Sequence, residues 1–444
     1  MQGEIKKIAL INPKSPLYID NLKIYEMFQR NKEHLKLWFA PPLSLLTIAS
    51  YTPNDIVIKM IDEHFEEINF EEDYDLVGIT AMTQQAFRAY EIADEFRRRN
   101  KIVVMGGIHA SILPDEALCH VNTIFIGEAE ELWQIYLADL KSGSEKKIYK
   151  NDKLYDLKKS VTPRYDLINF ELFNSLTSYF KFLPVQASRG CPHDCSFCVT
   201  TKFYGKKIRK KEIGQIINDI QYLKEYSNNS LLLFVDDNLF VDRQFAKSLL
   251  NELIPLKIKY VVQTDVKVAE DSELLKLAYL SGCVMICIGF ESIDVKSLSH
   301  INVNSWKMKQ RRNYTAAIEK IQKNGIVVFG TFVIGFENDS ISTFKHIKNF
   351  VIQNNIPGQF TLLTPLPGTQ IYEKLKAEGR LINETFWNKC SFFDMTFKHD
   401  NLSIENAENE IIKLHDEIFD EANTIKRNFH MMKIYKQLPQ RWVL

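Results

Sequence analysis

The sequence of 444 residues lacks several features that would each have defined its class. No apolar run approaches the roughly 20 residues that a membrane-spanning helix needs. Lysine and arginine together number 56, as do aspartate and glutamate, so the sequence has no excess charge of either sign. That balance argues against a nucleic-acid-binding protein, whose affinity depends on clustered cations. We also find no strongly basic amphipathic helix that would anchor the protein to a membrane.

Processing signals, repeats and a disulfide framework are missing as well. Residues 1–7 lead directly into a short strand and lack the longer apolar core of a signal peptide. The seven cysteines, three of them clustered, favour a reducing cytoplasm over a set of disulfides. Hydrophobic residues make up 45% and charged residues 25%, as in soluble globular proteins, and the length predicts two or three domains.

The most informative stretch is the segment that holds the clustered cysteines. Cys191, Cys195 and Cys198 follow an apolar strand in a C-x3-C-x2-C spacing. A loop this short can wrap three thiolates around one iron–sulfur cluster and leave one iron of a cubane open to another ligand. A zinc site is the alternative, but it normally needs a fourth Cys or His, which His193 could supply only awkwardly.

With Phe197 before the last cysteine, this motif resembles that of the radical S-adenosylmethionine (SAM) superfamily. The resemblance implies that Cys191, Cys195 and Cys198 bind a 4Fe–4S cluster whose open iron chelates the amino and carboxylate groups of SAM. It further implies that electron transfer to SAM yields a 5′-deoxyadenosyl radical, and that Phe197 lies by the adenine. An external electron donor of the flavodoxin or ferredoxin type is then expected.

The first 140 residues predict a doubly wound α/β domain. Near-continuous apolar runs separated by helical patterns, the clearest at 85–98, are typical of a parallel sheet covered on both faces. The predicted strands are residues 8–11, 56–61, 76–80, 102–105 and 123–126. Ligands of such folds bind at the carboxyl ends of the strands, where small and polar residues collect in this sequence.

The order of these strand-end loops resembles the cobalamin-binding domain that precedes many radical SAM domains. The matching segments are 41–46, 105–109 with 113–116, and 127–130. The resemblance implies a Rossmann-like domain and cobalamin contacts at Asn12, Thr80, Met82, Thr83, Gly106, Gly107, His109, Gly127 and Glu128. His109 is expected to touch the corrin rather than cobalt. Cobalamin domains with a histidine ligand carry D-x-H-x-x-G after the first strand, where this chain has Asn12 and no histidine. Asp62-Glu63-His64 follows the second strand instead, so we expect cobalamin without a protein histidine ligand.

Residues 181–374 predict a partial (β/α)6 barrel of the TIM type. Strands are expected at 183–187, 231–235, 260–263, 285–289, 327–334 and 359–363, with functional groups at their carboxyl ends. The resemblance implies SAM contacts at Phe197, Asp236, Asp237, Gln263, Glu291, Ser292 and Gly335. Near Asp236, a helix cap at Asn238 or Asp242 is the alternative to a ligand-binding role.

The remaining segments are a linker at 141–180 and a helical extension at 375–444. The longest helical pattern spans 404–424, with Ser403 as its cap. An aromatic-rich patch at 387–399 either packs against the barrel or lines an apolar substrate pocket. Cys283 and Cys287 lie in or beside a buried strand, where cysteine behaves as a small hydrophobe.

These patterns indicate an enzyme, and the resemblance covers roughly residues 5–400. Its nearest members in pattern are hopanoid and phosphinate methylases and anaerobic porphyrin-ester cyclases. The first hypothesis is cobalamin-dependent methyl transfer to an unactivated carbon, or a phosphinate phosphorus, of a small-molecule or lipid natural product. The alternative is radical cyclisation, C–C coupling or oxidation without methyl transfer. A methylthiotransferase is disfavoured because the N-terminal third has only Cys119, and a non-enzymatic carrier would not need SAM-type strand ends.

Overall fold

The computed structural model describes residues 5–15, 22–30, 40–171, 182–227, 230–299, 301–302 and 305–436. Within these residues the chain forms two parallel six-stranded sheets and one short hairpin. The predicted α/β architecture, with two successive βα units and a helical C-terminal region, is confirmed.

The first sheet has the strand order β2-β1-β3-β4-β5-β6 and every described pair in it is parallel. Its strands are β1 (Lys7–Asn12), β2 (Val57–Asp62), β3 (Leu76–Thr80), β4 (Ile102–Gly106), β5 (Thr123–Ile126) and β6 (Ile148–Lys150). Successive residues of β1 point into different cores, since Ile8 and Leu10 pack on one face and Ala9 and Ile11 on the other. This alternation is why the strand reads as a continuous apolar run.

Helices of this first half cover the sheet or connect its strands. They are α1 (Leu22–Arg30), α2 (Leu43–Ser50), α3 (Ala86–Arg98), α4 (Ile108–Ile112), α5 (Pro114–Leu118) and α6 (Glu130–Ser142). Strand β6 was not predicted. It lies inside the segment expected to be a linker, where Tyr149 packs into the core with Phe125. Residues 172–180 of that expected linker lie outside the described residues.

The second sheet has the order β14-β13-β12-β11-β10-β7, all parallel, and is open between β14 and β7 in the described chain. Its strands are β7 (Phe182–Val185), β10 (Leu231–Phe234), β11 (Lys259–Thr264), β12 (Cys283–Glu291), β13 (Val327–Ile334) and β14 (Gly358–Leu362). The antiparallel hairpin pairs β8 (Ser188–Arg189) with β9 (Arg209–Lys210). Six parallel strands with one open side form the expected partial barrel.

Helices connect the strands of this second half of the chain. They are α7 (Thr200–Phe203), α8 (Ile213–Tyr226), α9 (Arg243–Leu253), α10 (Ser272–Ser281), α11 (Val295–Ser299), α12 (Trp306–Gln310), α13 (Tyr314–Lys323), α14 (Ile341–Asn354) and α15 (Gln370–Ala377). Single 3-10 turns occur at Thr83–Gln85, Leu157–Lys159, Tyr165–Leu167, Ile254–Leu256, Val266–Glu270, Arg311–Asn313 and Trp387–Lys389. Asp242 caps α9 by accepting a hydrogen bond from the Phe245 amide at 3.1 Å, as the sequence suggested.

The C-terminal helical pattern is two helices rather than one. Helix α16 spans Ile404–Ile418 and α17 spans Glu421–Tyr435. Ser403 caps the first as predicted, and Asp420 caps the second by accepting from the Asn423 amide at 2.7 Å. The prediction of one helix over 404–424 was wrong because the cap at Asp420 starts a new helix within that apolar pattern.

The aromatic-rich patch packs into both halves of the molecule. Trp387, 1% exposed, joins the core of the first sheet, and its Nε1 donates to Glu116 at 2.9 Å. Phe393 and Met395 join the core of the barrel. The patch therefore ties the C-terminal region to both sheets.

Candidate active site

The cysteine loop is built on the β8–β9 hairpin, which fixes where it begins. Gly190 has φ +97°, and a Cβ there would lie 2.6 Å from the Lys207 carbonyl oxygen and 3.0 Å from that of Gly205. Only glycine fits this close approach of two backbones. The amide of Cys191 then donates to the Gly205 carbonyl at 3.3 Å.

Two other segments hold the middle of the loop. Cys195 forms an isolated antiparallel bridge with Asn302, and the Ser196 amide donates to the Ile301 carbonyl at 2.7 Å. On the other side, the Ile371 amide at the start of α15 donates to the Ser196 carbonyl at 3.0 Å. The backbone that carries the three thiols is therefore fixed by contacts from distant parts of the chain.

All three thiols of the loop are partly exposed and none forms a disulfide. Burial raises the pKa of Cys191 to about 11 and that of Cys195 to about 12, so both are neutral thiols until a metal displaces the proton. Among the described residues, no group of three or more His, Cys, Asp or Glu side chains converges as ligands of one ion. Three thiols in a pre-folded, accessible loop suit an iron–sulfur cluster, whose thiolates bind different irons.

His193 has another role than that of a fourth metal ligand. Its Nε2 lies 2.9 Å from Asp265 Oδ2, and its ring stacks on Trp306 with centroids 4.1 Å apart. Asp265 also accepts from Asn238 Nδ2 at 2.9 Å. His193 does not converge with the cysteines as a metal-ligand group among the described residues, which disfavours the zinc alternative.

The two acids that follow β10, Asp236 and Asp237, accept hydrogen bonds from the residues that lead into the cysteine loop. Asp236 is fully buried and accepts from the Ala187 amide at 3.1 Å and the Ser188 hydroxyl at 2.6 Å, while burial raises its pKa to about 7. Asp237 accepts from the Gly190 amide at 3.2 Å and from Thr200 Oγ1 at 3.0 Å. We therefore revise Asp236 from a SAM contact to a group that positions the start of the cysteine loop.

A buried ion pair marks the end of β12. Glu291 has φ +62° beside a register shift, and its Oε1 lies 2.7 Å from Lys307 Nζ. Lys307 also donates to the Gly289 carbonyl at 2.6 Å and is 7% exposed. Lys307 was not predicted as a site residue, since a lone lysine in a polar segment is unremarkable until the fold buries it.

The predicted SAM residues that remain to be placed are Phe197, Gly335, Gln263 and Ser292. Phe197, whose ring packs on Phe336 with centroids 5.7 Å apart, and Gly335 lie on one side of the barrel mouth. Gln263 is exposed on the strand face that carries Val261 into the barrel interior. Ser292, in contrast, is 0% exposed and accepts from the Asp294 amide at 3.1 Å, so it shapes a turn and cannot reach a ligand.

A cavity of about 310 Å³ opens beside the cysteine loop. Ser196, Gly335, Phe336, Leu363 and Phe397 are among its lining residues. Gly335 has φ +121°, and its amide donates to Asp339 Oδ2 at 2.9 Å, which holds the backbone at this edge. The cavity is apolar with polar rim groups and adjoins the loop, as an adenosyl site would.

A larger cavity of about 500 Å³ covers the carboxyl end of the first sheet. Gly107 has φ +93°, and a Cβ there would lie 2.8 Å from the Ala81 carbonyl oxygen and 2.9 Å from Thr80 Oγ1. Gly127 faces open space. The strand ends thus offer bare backbone to a large ligand, and the cavity continues inward between Leu45 and Trp133. Bare backbone at the strand ends is what the close approach of a large ligand such as cobalamin requires.

The structure brings most predicted cobalamin residues to this cavity. Those that line it are Thr80, Met82, Gly106, Gly107, Gly127 and Glu128. Met82 is 41% exposed, so its thioether is open to a ligand. These contacts stay predictions.

Three predicted residues do not line the cavity, and we withdraw them as direct contacts. Asn12 Oδ1 accepts from Gln85 Nε2 at 3.1 Å, and Thr83 is buried in the turn before α3. His109 is 0% exposed; its Nε2 lies 2.7 Å from the Tyr90 hydroxyl, and its ring packs on Trp387. The side chain of His109 turns away from the cavity because the helix that follows Gly107 directs it into the domain core.

Histidine does not contribute to the lining of this cavity in the part of the chain that the structure describes. His64 lies at the end of β2, where its Nδ1 is 2.8 Å from Asp62 Oδ1 and its Nε2 accepts from the Ser15 amide at 3.1 Å. These contacts close a turn. The arrangement agrees with the expectation of cobalamin without a protein histidine ligand, which stays a prediction.

A buried charge network connects the two cofactor regions. Arg189 Nη1 lies 2.7 Å from Glu128 Oε1 and 2.6 Å from Glu130 Oε1, and Arg209 Nη1 lies 2.8 Å from Glu128 Oε2. All four side chains are at most 14% exposed. Arg189 precedes Cys191 by two residues, whereas Glu128 lines the large cavity. The network, hereafter the Arg189 latch, fixes one site relative to the other.

Two family models match the chain. The radical SAM superfamily model matches residues 185–351, and the B12 binding domain model matches residues 40–136. These matches cover the cysteine loop with most of the barrel and the large cavity of the first sheet.

Named relatives match over most of the chain. The bacteriochlorophyllide d C-8(2)-methyltransferase of Chlorobaculum tepidum is 31% identical over 87% of this chain and 87% of its own length. The anaerobic magnesium-protoporphyrin IX monomethyl ester cyclase of Rubrivivax gelatinosus is 22% identical over 82% and 67%. The fold is similar to that of the radical SAM methyltransferase TsrM from Kitasatospora setae with cobalamin and a [4Fe–4S] cluster bound. That match has a TM-score of 0.66, with 14% identity, and covers 95% of this chain and 83% of that one.

The family defines the cofactors. Radical SAM enzymes use a 4Fe–4S cluster and SAM, and the B12 binding domain adds cobalamin. The described residues fit all three, in the cysteine loop, the adjoining cavity and the bare strand ends. No described helix is both long and apolar enough to cross a membrane. The chain therefore belongs to the radical SAM superfamily, among the enzymes in which a B12-binding domain precedes the radical SAM domain.

Proposed function

We propose that this enzyme transfers a methyl group to an unactivated carbon, or a phosphinate phosphorus, of a small-molecule or lipid substrate. The observation that carries the proposal is the extent of the large cavity. It is lined by strand ends of the first sheet and also by Pro184, Gln186, Leu233 and Val235 of the barrel. One enclosure thus reaches from the B12-binding face to the barrel interior, where a substrate can meet both cofactor sites. When bound, the cluster and SAM supply a radical and cobalamin supplies a methyl group.

On this proposal the residues of the barrel hold SAM and orient the substrate. Lys307 gives the carboxylate of SAM a cation inside the barrel, and Glu291 keeps that cation in place at 2.7 Å. Gly335 lines the adenosyl cavity, and Phe197 packs on Phe336, another of its lining residues. Gln263 offers an uncharged amide to the substrate from the interior face of β11.

The substrate class follows from the relatives and the reductant from the cofactor set. The first substrate to test is bacteriochlorophyllide d, because the relative that is 31% identical is named as a methyltransferase of this compound. We propose a flavodoxin or ferredoxin as the electron donor. A cytoplasmic location is also proposed, because all seven cysteines are free and such a protein suits a reducing compartment.

The test is an anaerobic reaction of the fully reconstituted enzyme, with iron and cobalt counted beforehand. About four irons, as in one cubane cluster, and one cobalt per chain should be found, and SAM labelled in its methyl group should deliver label to the product. A product without label, formed together with 5′-deoxyadenosine, would overturn methyl transfer and favour the cyclisation reaction of the 22% identical cyclase. Lys307→Met should raise the Kd for SAM roughly tenfold or more, the loss expected for a buried charged hydrogen bond, whereas Lys307→Arg should retain most of the affinity.

A further inference from the structure

Helix α17 presents a row of large apolar side chains to solvent. Ile425, Phe429 and Met432 are 61%, 58% and 52% exposed and follow one another at the i, i+4, i+7 spacing of a single helix face. The opposite face holds the helix in place through Arg427 and Ile434, which are buried. An apolar row of this size on an otherwise polar helix is typical of an interaction surface.

The same face is basic. Lys426, Lys433 and Lys436 are exposed, and Lys433 Nζ lies 5.1 Å from the ring centroid of Phe429. From residue 422 to residue 444 the sequence contains five lysines and arginines and no aspartate or glutamate, although the whole chain is balanced. The C-terminal stretch thus has a local excess of positive charge beside its exposed apolar side chains.

The position of α17 leaves the cofactor cavities free. Tyr435, at the end of the helix, packs with Phe182 and Val261 in the barrel interior. Phe182 is the first residue of β7, so Tyr435 approaches the barrel from the amino ends of its strands, opposite the carboxyl ends that carry the cysteine loop and both cavities. A partner that covers α17 therefore does not obstruct the active site.

The chemistry of this face selects its partner. A second copy of the chain in a two-fold contact would place lysines against lysines, because α17 carries no carboxylate after its first residue, Glu421. An anionic bilayer matches both the charge and the apolar side chains of this face. Its headgroup phosphates pair with the lysines, while the apolar side chains enter the membrane interface.

We propose that α17 docks the enzyme on the surface of an anionic membrane, with Ile425, Phe429 and Met432 inserted among the lipid headgroups. The proposal is independent of the reaction and of the substrate. No strongly basic amphipathic helix was expected from the sequence, for two reasons. The start of α17 was predicted to be part of the same helix as α16, and apolar residues such as Ile434 also occur on the buried face of α17.

The experiment is anaerobic flotation of the holoenzyme with vesicles of phosphatidylcholine, with and without phosphatidylglycerol. The enzyme should float only with the anionic vesicles, and less so at high salt. Phe429→Ser should weaken partitioning roughly tenfold, as expected for one aromatic side chain removed from an apolar contact. Lys433→Gln should weaken it roughly fivefold.

Matched controls are Phe87→Ser and Lys141→Gln, because both residues are exposed and lie on helices of the first half. Both variants should partition as the wild type does. Wild-type enzyme that stays in solution with anionic vesicles would overturn the proposal, as would a Phe429→Ser variant that floats unchanged. Light scattering that shows a dimer dissociated by Phe429→Ser would also overturn it, because a second copy would then cover this face.

Discussion

Replacing Arg189 with methionine should destabilise the enzyme strongly while leaving the fold of each sheet possible. The side chains of Glu128 and Glu130 are 3% and 5% exposed, and both lie within 2.7 Å of the Arg189 guanidinium. Glu128 would retain Arg209 at 2.8 Å. Glu130 would be left as a buried charge without this partner, which typically costs about 3–5 kcal/mol of unfolding free energy.

The assay is equilibrium urea unfolding followed by tryptophan fluorescence, because Trp133 is buried in the domain that carries both glutamates. A loss of about 3–5 kcal/mol should lower the midpoint by about 1–2 M urea. The matched control is Lys206→Met. Lys206 pairs with Asp194 at 2.6 Å in the neighbouring loop but is 65% exposed, so its loss should cost less than about 1 kcal/mol.

A second variant separates the stranded charge from lost packing. In Arg189→Met/Glu130→Gln the acid is neutral, so part of the lost stability should return, and the two changes should be non-additive. An Arg189→Met enzyme whose unfolding free energy lies within about 1 kcal/mol of the wild-type value would refute the reasoning, since breaking a buried ion pair costs more than that. So would a double variant no more stable than the single one.

Four further predictions test other parts of the molecule. Cys195→Ala should abolish the visible absorbance of the reconstituted cluster, and retained iron with full SAM cleavage would disprove the ligand assignment. Gly107→Ala should weaken cobalamin binding roughly tenfold or more in a spectrophotometric titration, because its Cβ would meet the backbone of residue 81 at 2.8 Å. Gly143→Ala, also at positive φ but in open space, should bind as the wild type does. His64→Ala should leave the spectrum of bound cobalamin unaltered, and a shift would show that this histidine does reach cobalt. Burial lowers the pKa of His415 from 6.5 to about 4, so stability is full above pH 6.5 and about 3 kcal/mol is lost as pH falls from 6.5 to 4. Urea unfolding across that range should show the loss in wild type but not in His415→Phe.

The strands could be predicted closely because both sheets are parallel and covered on both faces, which makes each strand an apolar run of its own. Within the two described parallel sheets β6 was missed, since its three residues alternate and just Tyr149 is buried, and the two-residue strands β8 and β9 of the hairpin were not predicted either. The cysteine loop could also be predicted, because its three proposed metal ligands lie within eight residues of the sequence. The large cavity was anticipated through the small residues at the ends of β4 and β5.

Side-chain directions at the strand ends could not be predicted, because they depend on how each loop turns. Asp236 and Asp237 are neighbours, yet only the first is fully buried under the cysteine loop. Ser292 and His109 follow their strands as expected and still point into the protein. The sequence shows that a polar residue ends a strand, but the direction of that side chain is decided by packing against segments far away.

The distance in sequence between interacting residues also explains why the Arg189 latch and Lys307 were not predicted. Arg189 and Glu128 are 61 residues apart in the sequence, and Arg209 and Glu128 are 81 apart. In the sequence, Arg189, Arg209 and Lys307 each look like an ordinary surface charge, and Glu128 was predicted only as a cobalamin contact. Only the fold brings them together in a place where an unpaired charge would be costly, and this burial is what marks them as parts of the site.

The cysteine loop shows what these long-range contacts contribute to cofactor binding. Ordering one residue of a free loop costs about 1–2 kcal/mol. In this enzyme the contacts of Cys191 with Gly205, of Ser196 with Ile301, and of Gly190 with Asp237 hold the loop backbone through protein groups alone. Iron binding therefore does not have to order the loop, and more of the ligation energy remains for the cluster itself. Substitutions at Asp237 should consequently weaken cluster retention although this carboxylate is not expected to touch iron.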